Sequence, residues 1–164
     1  MEIRKMNQAD DRMEISHIYE ESWKYAYKDS IPQSYLESIP KGQWVPSLDK
    51  EGRHTLLMIA DGIFIGTVSY CKSRFEQFAD YGEIVSIYFL PEYIGKGYGK
   101  QLFRIAINEL KSMGFGDIFL WVLEENFNAR RFYEKAGFVL SDYYLKDTIG
   151  GKELKEVAYC YHIR

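Results

Sequence analysis

The sequence is poor in the residues that build covalent cross-links and metal sites. Of 164 residues, two are cysteine and three are histidine. Cys71 and Cys160 lack the CxxC spacing of zinc and redox motifs, so we expect two buried free thiols in a reducing compartment. The three histidines are scattered along the chain, which argues against a metal site.

An excess of positive charge and long apolar runs are also missing. Lys and Arg number 21 against 24 Asp and Glu, so the net charge is -3 and no broad cationic surface is available for nucleic-acid phosphates. The N-terminal stretch "MEIRKMNQADD" is charged from its start. No apolar run approaches the roughly 20 residues that cross a bilayer. We therefore expect a soluble, cytoplasmic protein that binds neither nucleic acid nor membrane.

Signs of a domain boundary are absent as well. The chain contains no internal repeat, no low-complexity tract and no Pro/Ser-rich linker. A chain of 164 residues can bury one good core and is too short for two ordinary domains. The sequence predicts a single domain over residues 1–164.

The N-terminal part of the chain has helical periodicity. Apolar side chains recur at spacings of three and four between Ile15 and Ala26, and two aspartates precede them at the positive end of the predicted helix. This pattern predicts a helix over about residues 9–26. "IPQSYLESI" predicts a short second helix that starts near Pro32, and residues 40–53 are predicted to form a loop.

From residue 54 onward the apolar runs are typical of strands. "HTLLMIA" and "IFIGTVSYC" flank the two-residue signal Asp61-Gly62, which predicts a β-hairpin. The run "EIVSIYFL", residues 83–90, is apolar on both faces and predicts a central strand.

The C-terminal half alternates helix and strand. "KQLFRIAINELKSMG" predicts a helix that ends at Gly114, and "DIFLWVL", residues 117–123, predicts a second buried strand. Strand, helix and strand form a right-handed crossover with two parallel strands. "NARRFYEKAG" predicts a further helix, and the tail predicts two strands around Gly150 and Gly151. The predicted order is α-α-β-β-β-α-β-α-β-β.

A glycine-rich turn, "PEYIGKGYGK", joins the central strand to the following helix. Unpaired backbone N–H groups at the positive end of a helix bind phosphate or pyrophosphate, and glycines let the phosphates approach closely. A tight turn without a ligand is the alternative. The glycine spacing does not fit the G-x-G-x-x-G dinucleotide fingerprint. It does not fit a P-loop either, because a P-loop has Ser or Thr after its lysine and Lys96 is followed by Gly97.

Two segments resemble the GCN5-related N-acetyltransferase (GNAT) family. "IYFLPEYIGKGYGKQL" is similar to the family's Q/R-x-x-G-x-G/A motif, with matches at Gly97 and Gly99 and with Ile94 in place of the usual Gln or Arg. "NFNARRFYEKAGF" is similar to its N-x-x-A-x-x-F-Y motif; the matching residues are Asn126, Ala129, Phe132, Tyr133, Gly137 and Phe138. The matches together cover about residues 83–138.

The resemblance implies a fold and a cofactor. The fold is a mixed α/β (α+β) one, with a mostly antiparallel central sheet, a parallel splayed strand pair and flanking helices. The family uses acetyl-CoA, so its pantetheine arm is expected between the splayed strands and its pyrophosphate on the glycine turn. The implied cofactor-binding residues are Ile87, Tyr88, Phe89, Gly95, Lys96, Gly97, Tyr98, Gly99, Lys100 and Asn126.

Acetyl transfer to an amine requires a base and an acid. An alkylammonium with a pKa near 10.4 must lose a proton before it attacks, and the leaving thiolate benefits from gaining one. The resemblance implies that Tyr133 is the acid, with a packing tyrosine as the alternative. The resemblance also makes Glu83 our first choice as base, because some family members carry a glutamate on this strand that acts through water. Alternation along the strand would put Glu83 on the face of Val85, Ile87 and Phe89. A solvated carboxylate at the end of the strand is the alternative. Glu124, Glu125 and ordered water are the other candidates.

The acceptor is expected between the first two helices and the loop before the central strand. Aromatic residues dominate both segments: Trp23, Tyr25, Tyr27, Tyr35, Phe75, Phe78 and Tyr81. Acidic neighbours there, Glu21, Asp29, Glu76 and Asp80, suit a cationic amine. A small-molecule amine and a peptide N-terminus both fit this description.

Three functions remain open from the sequence. The first is an acetyl-CoA-dependent N-acetyltransferase, the second a non-catalytic acyl-CoA sensor on the same fold, and the third an unrelated nucleotide-binding domain. A complete second motif with Tyr133 favours the enzyme. A homodimer is compatible with all three.

Overall fold

A seven-stranded mixed sheet separates two layers of helices in the computed structural model, which describes residues 1–163. The strands follow the order β1-β2-β3-β4-β5-β7-β6, and every neighbouring pair is antiparallel except β4 and β5. The elements are β1 (Glu2–Lys5), α1 (Arg12–Ala26), α2 (Gln33–Ser38), α3 (Val45–Leu48), β2 (His54–Ala60), β3 (Ile63–Lys72), β4 (Gly82–Phe89), α4 (Tyr98–Ser112), β5 (Asp117–Leu123), α5 (Phe127–Lys135), β6 (Val139–Ile149) and β7 (Lys152–His162). The predicted fold class is confirmed.

Among the strands and α-helices given above, two short ones were not predicted. β1 has four residues, "EIRK", which are too few to show an alternating pattern, and it pairs with β2 at the sheet edge. α3 is a single turn inside the segment predicted to be a loop. Tertiary contacts stabilise both, because neither has enough local signal to form alone.

The largest helices form as their periodicity predicts. α1 begins at Asp11, whose side chain accepts a hydrogen bond from the Met13 amide, and it buries Ile15 and Ile18 against the sheet. Ala26, expected on its apolar face, is exposed instead. α4 buries one stripe on the opposite face of the sheet, formed by Leu102, Phe103, Ala106, Ile107 and Leu110.

The parallel strands β4 and β5 separate soon after they meet. Their backbones pair only at Gly82 with Ile118 and at Glu83 with Phe119. Beyond that point β4 remains paired with β3 as far as Phe89, while β5 remains paired with β7. A slot therefore opens between the C-terminal halves of the two strands, as predicted.

A β-bulge at Val85 changes which residues of β4 share a face. Ser69 pairs with Ser86 and Tyr70 pairs with Ile84, so Val85 has no counterpart on β3. The extra residue places Glu83 on the face of Ser86 and Tyr88, towards α1. The prediction that Glu83 shares the face of Ile87 and Phe89 is wrong, because it assumed unbroken alternation.

Both cysteines are buried free thiols, as predicted. Burial raises the pKa of the Cys160 thiol to about 11 and also raises that of Cys71, so both are uncharged at neutral pH. Among residues 1–163, no three His, Cys, Asp or Glu side chains are grouped as metal ligands. Within the same range, no helix is both long and apolar enough to cross a membrane.

Candidate active site

The glycine turn presents open backbone at the start of α4. Gly95 and Gly97 have left-handed φ angles of 80° and 85°, and a Cβ built on either would meet no atom within 4 Å. Gly97 is the N-cap and supplies no side-chain cap, so the first-turn N–H groups of α4 lack intrahelical partners. The Lys96 ammonium lies 5.5 Å from the centre of the Tyr93 ring beside this turn. The geometry suits an anionic ligand that approaches the backbone closely.

The β4 side of the slot combines a free backbone edge with three well-anchored side chains. Phe89 is buried, and its ring occupies the space that a side chain at Gly66 would need. Ile87 packs on the core shared with α4. Tyr88 points the other way and packs with Tyr19 of α1. The backbone edge facing β5 has no strand partner beyond Glu83 within residues 1–163.

Three phenols converge beside the slot. The Trp23 indole N–H donates to the Tyr88 hydroxyl over 3.1 Å. The Tyr27 hydroxyl lies near the Tyr88 hydroxyl and the Asn126 side chain, and Tyr133 is near enough to Tyr27 and Tyr88 to be coupled to them in its pKa. Burial raises the pKa of all three phenols well above the ordinary value, so each keeps its proton at neutral pH. We call Tyr27, Tyr88 and Tyr133 the phenol cluster.

Asn126 and Tyr133 reach this cluster from α5. Asn126 is the N-cap, and its side-chain oxygen accepts a hydrogen bond from the Ala129 amide over 3.2 Å. That bond orients its NH2 group, which lies near the Tyr27 hydroxyl. The Tyr133 ring packs against Phe103, with centroids 5.6 Å apart, and Tyr88 is near enough to contribute to the raised pKa of its phenol. The ring of Tyr133 therefore packs on the core beside the slot.

Glu83 lies at the closed end of the slot in an ion pair. Its side chain is only 1% exposed. Arg74 donates to it three times: from the backbone N–H over 3.1 Å, from Nε over 3.1 Å and from Nη2 over 2.6 Å. The lone pairs of this carboxylate are therefore largely occupied in the structure, and proton transfer to it requires Arg74 to move.

The family model described as "Acetyltransferase (GNAT) family" matches residues 12–138, which spans the phenol cluster, the slot and the glycine turn. The chain belongs to the GNAT family. It is therefore an acyltransferase, and acetyl-CoA is the co-substrate that this family uses.

Relatives support this assignment. An uncharacterized N-acetyltransferase of Archaeoglobus fulgidus is 32% identical over 142 residues, covering 81% of this chain and 89% of the relative. A spermidine N(1)-acetyltransferase of Thermoplasma acidophilum is 27% identical over 148 residues, covering 87% and 90%. The structure of the PaiA N-acetyltransferase of Thermoplasma acidophilum in complex with coenzyme A has a TM-score of 0.72 and 25% identity, covering 98% of this chain and 100% of that chain.

The other predicted bases of this GNAT protein lie just beyond the end of β5. Glu124 forms an ion pair with Lys155 over 3.2 Å. Glu124 and the exposed Glu125 line a surface pocket at the end of β5, together with Leu123, Lys146, Glu153, Leu154 and Lys155. The Glu124 carboxylate would have to break its ion pair with Lys155 before it could accept a proton from an acceptor amine.

The aromatic residues predicted to surround the acceptor form two clusters on the α1 side of the sheet. One contains Trp23, Tyr27 and Tyr35, packed near Leu154 of β7. The other is built on Phe78 and Phe119; its remaining aromatic members are Phe75, Tyr81 and Trp121. We call them the helix-side cluster and the loop-side cluster.

Part of the predicted acceptor wall points elsewhere. Tyr25 is 49% exposed and lies beside the Lys28 ammonium, so it belongs to neither cluster. Of the predicted acidic neighbours, Asp29, Glu76 and Asp80 are exposed to solvent, and Glu21 contacts Lys24 over 3.8 Å.

Sequence reasoning missed Glu156 of β7. Leu154, Ala158 and Cys160 are buried and alternate along this strand on the α1 side of the sheet. Glu156 falls on the same alternation, between Leu154 and Ala158. The signal that could have identified Glu156 is a charged residue at a position where the alternating pattern of the strand otherwise places buried apolar side chains.

Removal of Arg74 tests how far Glu83 depends on its ion pair. We expect Arg74→Met to lower the free energy of unfolding by about 2 to 3 kcal/mol, because it leaves a buried carboxylate without its partner, while the exposed side of Arg74 moderates the cost. Chemical denaturation measures this. The double variant Arg74→Met/Glu83→Gln is the control, and it should recover most of the loss. Equal stability of Arg74→Met and the wild type would contradict the pairing.

Proposed function

We propose that this GNAT enzyme transfers the acetyl group of acetyl-CoA to a primary amine of a small molecule or a peptide N-terminus, by direct attack of the amine on the thioester. The observation that carries this proposal is the slot between β4 and β5 beside the open glycine turn, with the protonated phenols of Tyr27, Tyr88 and Tyr133 near it. These phenols are the proton donors proposed for the departing thiolate, and the turn is proposed to hold the pyrophosphate.

The residues present fit acetyl-CoA. The first-turn amides of α4 and the turn from Gly95 to Lys100 offer unpaired donors to a pyrophosphate, with no Cβ in the way at Gly95 or Gly97. The free edge of β4 at Ile87, Tyr88 and Phe89 offers backbone groups to the amides of pantetheine, as a sheet edge does to an added strand. The Asn126 side-chain NH2, close to the Tyr27 hydroxyl, is proposed as a further donor to pantetheine. Acetyl-CoA supplies the activated acyl group.

The proposed reaction removes two protons from the amine nitrogen. The acceptor ammonium loses one proton to a base, and its nitrogen forms a bond to the acyl carbon as the carbon–sulfur bond breaks. Tyr133 gives its proton to the departing sulfur and is restored by the second proton of the amine nitrogen. The raised pKa of Tyr133 suits a donor, because the phenol is fully protonated before the reaction.

For the base we propose Glu83, acting directly or through water once Arg74 has moved aside. Glu83→Gln should then lower kcat/KM at neutral pH and recover part of it in alkaline solution, where free amine is plentiful. A wild-type rate and pH profile would transfer the role to Glu124, Glu125 or water. Residues 1–164 are proposed to work as one acetyltransferase domain, since all seven strands share one sheet.

The proposed function is tested by two measurements on the purified protein. Acetyl-CoA should raise the melting temperature, and NAD and ATP should not. Thiol release from acetyl-CoA should then depend on an added amine, drawn from a panel of spermidine, simple alkylamines and peptides with free N-termini. Cofactor binding without release for any amine would favour the acyl-CoA sensor, and a response to NAD or ATP alone would overturn both.

A further inference from the structure

Glu156 lies between the two aromatic clusters that surround the proposed acceptor site. On β7 it is preceded by Leu154 of the helix-side cluster and followed by Ala158 of the loop-side cluster. Its direct cross-strand neighbours are Leu123 on β5 and Leu145 on β6. The carboxylate therefore belongs to a half-buried, largely apolar face of the sheet.

No cation within residues 1–163 pairs with this carboxylate. Glu156 forms neither a side-chain hydrogen bond nor a salt bridge there. Lys155 lies on the opposite face, where it binds Glu124, and the guanidinium of Arg74 is directed to Glu83. A half-buried carboxylate in apolar surroundings is costly unless a cation or hydrogen-bond donor joins it.

The charged and titratable groups that interact with Glu156 come from three elements. Asp147 of β6 and burial raise the pKa of Glu156, and Arg74, in the loop after β3, opposes them. The Tyr27 hydroxyl, at the end of α1, is near enough for Glu156 to help raise its pKa. Tyr133, the proposed acid, also contributes to the raised pKa of Tyr27.

A second unpaired group lies on the same face of the sheet. The Trp121 indole Nε1 is buried and has no hydrogen-bond partner within the described residues. Trp121 is paired with Ala158, two residues from Glu156 along β7. An unmatched donor and an unmatched acceptor close together indicate that a ligand supplies groups to this region.

Resting on the proposed function, we propose that Glu156 binds the ammonium group of the acceptor and selects cationic amines. Aromatic rings on both sides exclude water from the ion pair and offer their faces to the cation. Glu156 is thus a specificity-determining residue, while Tyr133 remains the proposed acid.

Glu156→Gln tests the assignment through the acceptor rather than the cofactor. Butylamine, putrescine and an alanine-terminated tripeptide are the probes. We expect KM for the accepted amine to rise about tenfold or more, in line with the loss of a charge-assisted hydrogen bond, with acetyl-CoA affinity unchanged. Glu156→Asp should restore part of the affinity. Glu153→Gln is the matched control on the same strand, because Glu153 is exposed.

Calorimetry of the same amines against the protein loaded with coenzyme A separates the two proposals. Wild-type binding that falls about tenfold in Glu156→Gln supports the role of Glu156, whether or not turnover is seen. Equal amine affinity and equal KM in the two proteins overturn it and leave the acetyltransferase proposal intact. Amine binding to neither protein overturns it as well. Failure of the wild-type protein to bind acetyl-CoA would contradict the proposed function itself.

Stability distinguishes a binding role from a structural one. Because the folded-state pKa of Glu156 is raised, its ionised form weakens the fold as pH rises through that value. Glu156→Gln should therefore match or exceed the wild-type melting temperature at pH 7 to 8, and its advantage should vanish below the ordinary pKa of a glutamate. A lower melting temperature at neutral pH would show that Glu156 supports the fold and overturn the assignment.

Discussion

Gly97→Val and Gly99→Val should each weaken acetyl-CoA binding by a factor on the order of a hundred, since each displaces about two charge-assisted hydrogen bonds to the pyrophosphate. At Gly97 the side chain would project into open space in front of the turn, where the phosphates are proposed to lie. At Gly99 a Cβ would come 3.4 Å from the Phe132 ring, so a branched side chain also crowds this ring of α5. Isothermal titration calorimetry with acetyl-CoA measures the effect.

Gly114→Val is the matched control for these variants. Gly114 follows the other end of α4, has a φ of 98° and has no atom within 4 Å of a built Cβ. Gly114→Val should therefore introduce a backbone strain comparable to that of Gly97→Val, about 1 to 3 kcal/mol, at a distance from the proposed site. The control should lose stability and keep cofactor affinity. If Gly97→Val and Gly114→Val bind acetyl-CoA equally well, the glycine turn is not the pyrophosphate site.

Tyr133→Phe should lower kcat by roughly ten- to a hundredfold, the range expected for removal of one proton donor. The ring remains to pack against Phe103, so stability and acetyl-CoA affinity should change little. Because the pKa of Tyr133 is raised, the phenol is protonated throughout the neutral range, and the loss should not depend on pH there. Steady-state kinetics between pH 6 and about 9 would show this.

Tyr161→Phe controls for the removal of a hydroxyl from the same core. Tyr161 stacks on Phe138, with ring centroids 5.2 Å apart, and its hydroxyl is not part of the phenol cluster. Its kcat should equal that of the wild type. Full activity of Tyr133→Phe across the pH range would make Tyr133 a packing residue and move the acid to Tyr27 or Tyr88.

Local patterns were sufficient for most of the architecture. Helical periodicity in α1 and α4, apolar runs in β4 and β5 and turn signals at Asp61 and Gly62 specify elements through neighbours a few residues apart. β1 and α3 were missed, because four residues carry too little periodicity. The two motifs were visible because their chemistry resides in short contiguous segments.

The relations among the site residues were decided by tertiary structure. A bulge at Val85, which is visible only in the pairing of β4 with β3, puts Glu83 on the face opposite to the predicted one. Its pairing with Arg74, nine residues earlier, likewise depends on how the intervening loop returns to the sheet. Tyr25 was expected beside the acceptor, but its side chain is 49% exposed near the end of α1. The helical periodicity that places Trp23 on the apolar stripe does not determine the exposure of a residue two positions further along.

The sequence by itself determined the family, the order of the main elements and the position of the glycine turn, because each depends on residues adjacent along the chain. Only the tertiary structure assembled the phenol cluster from α1, β4 and α5, and only it placed Glu156 between two aromatic clusters. These residues are far apart in the sequence: Tyr27 lies near its N-terminal end and Glu156 near its C-terminal end. Burial and pairing at such separations are properties of the folded sheet, since the chain acquires them only when β7 docks against β5.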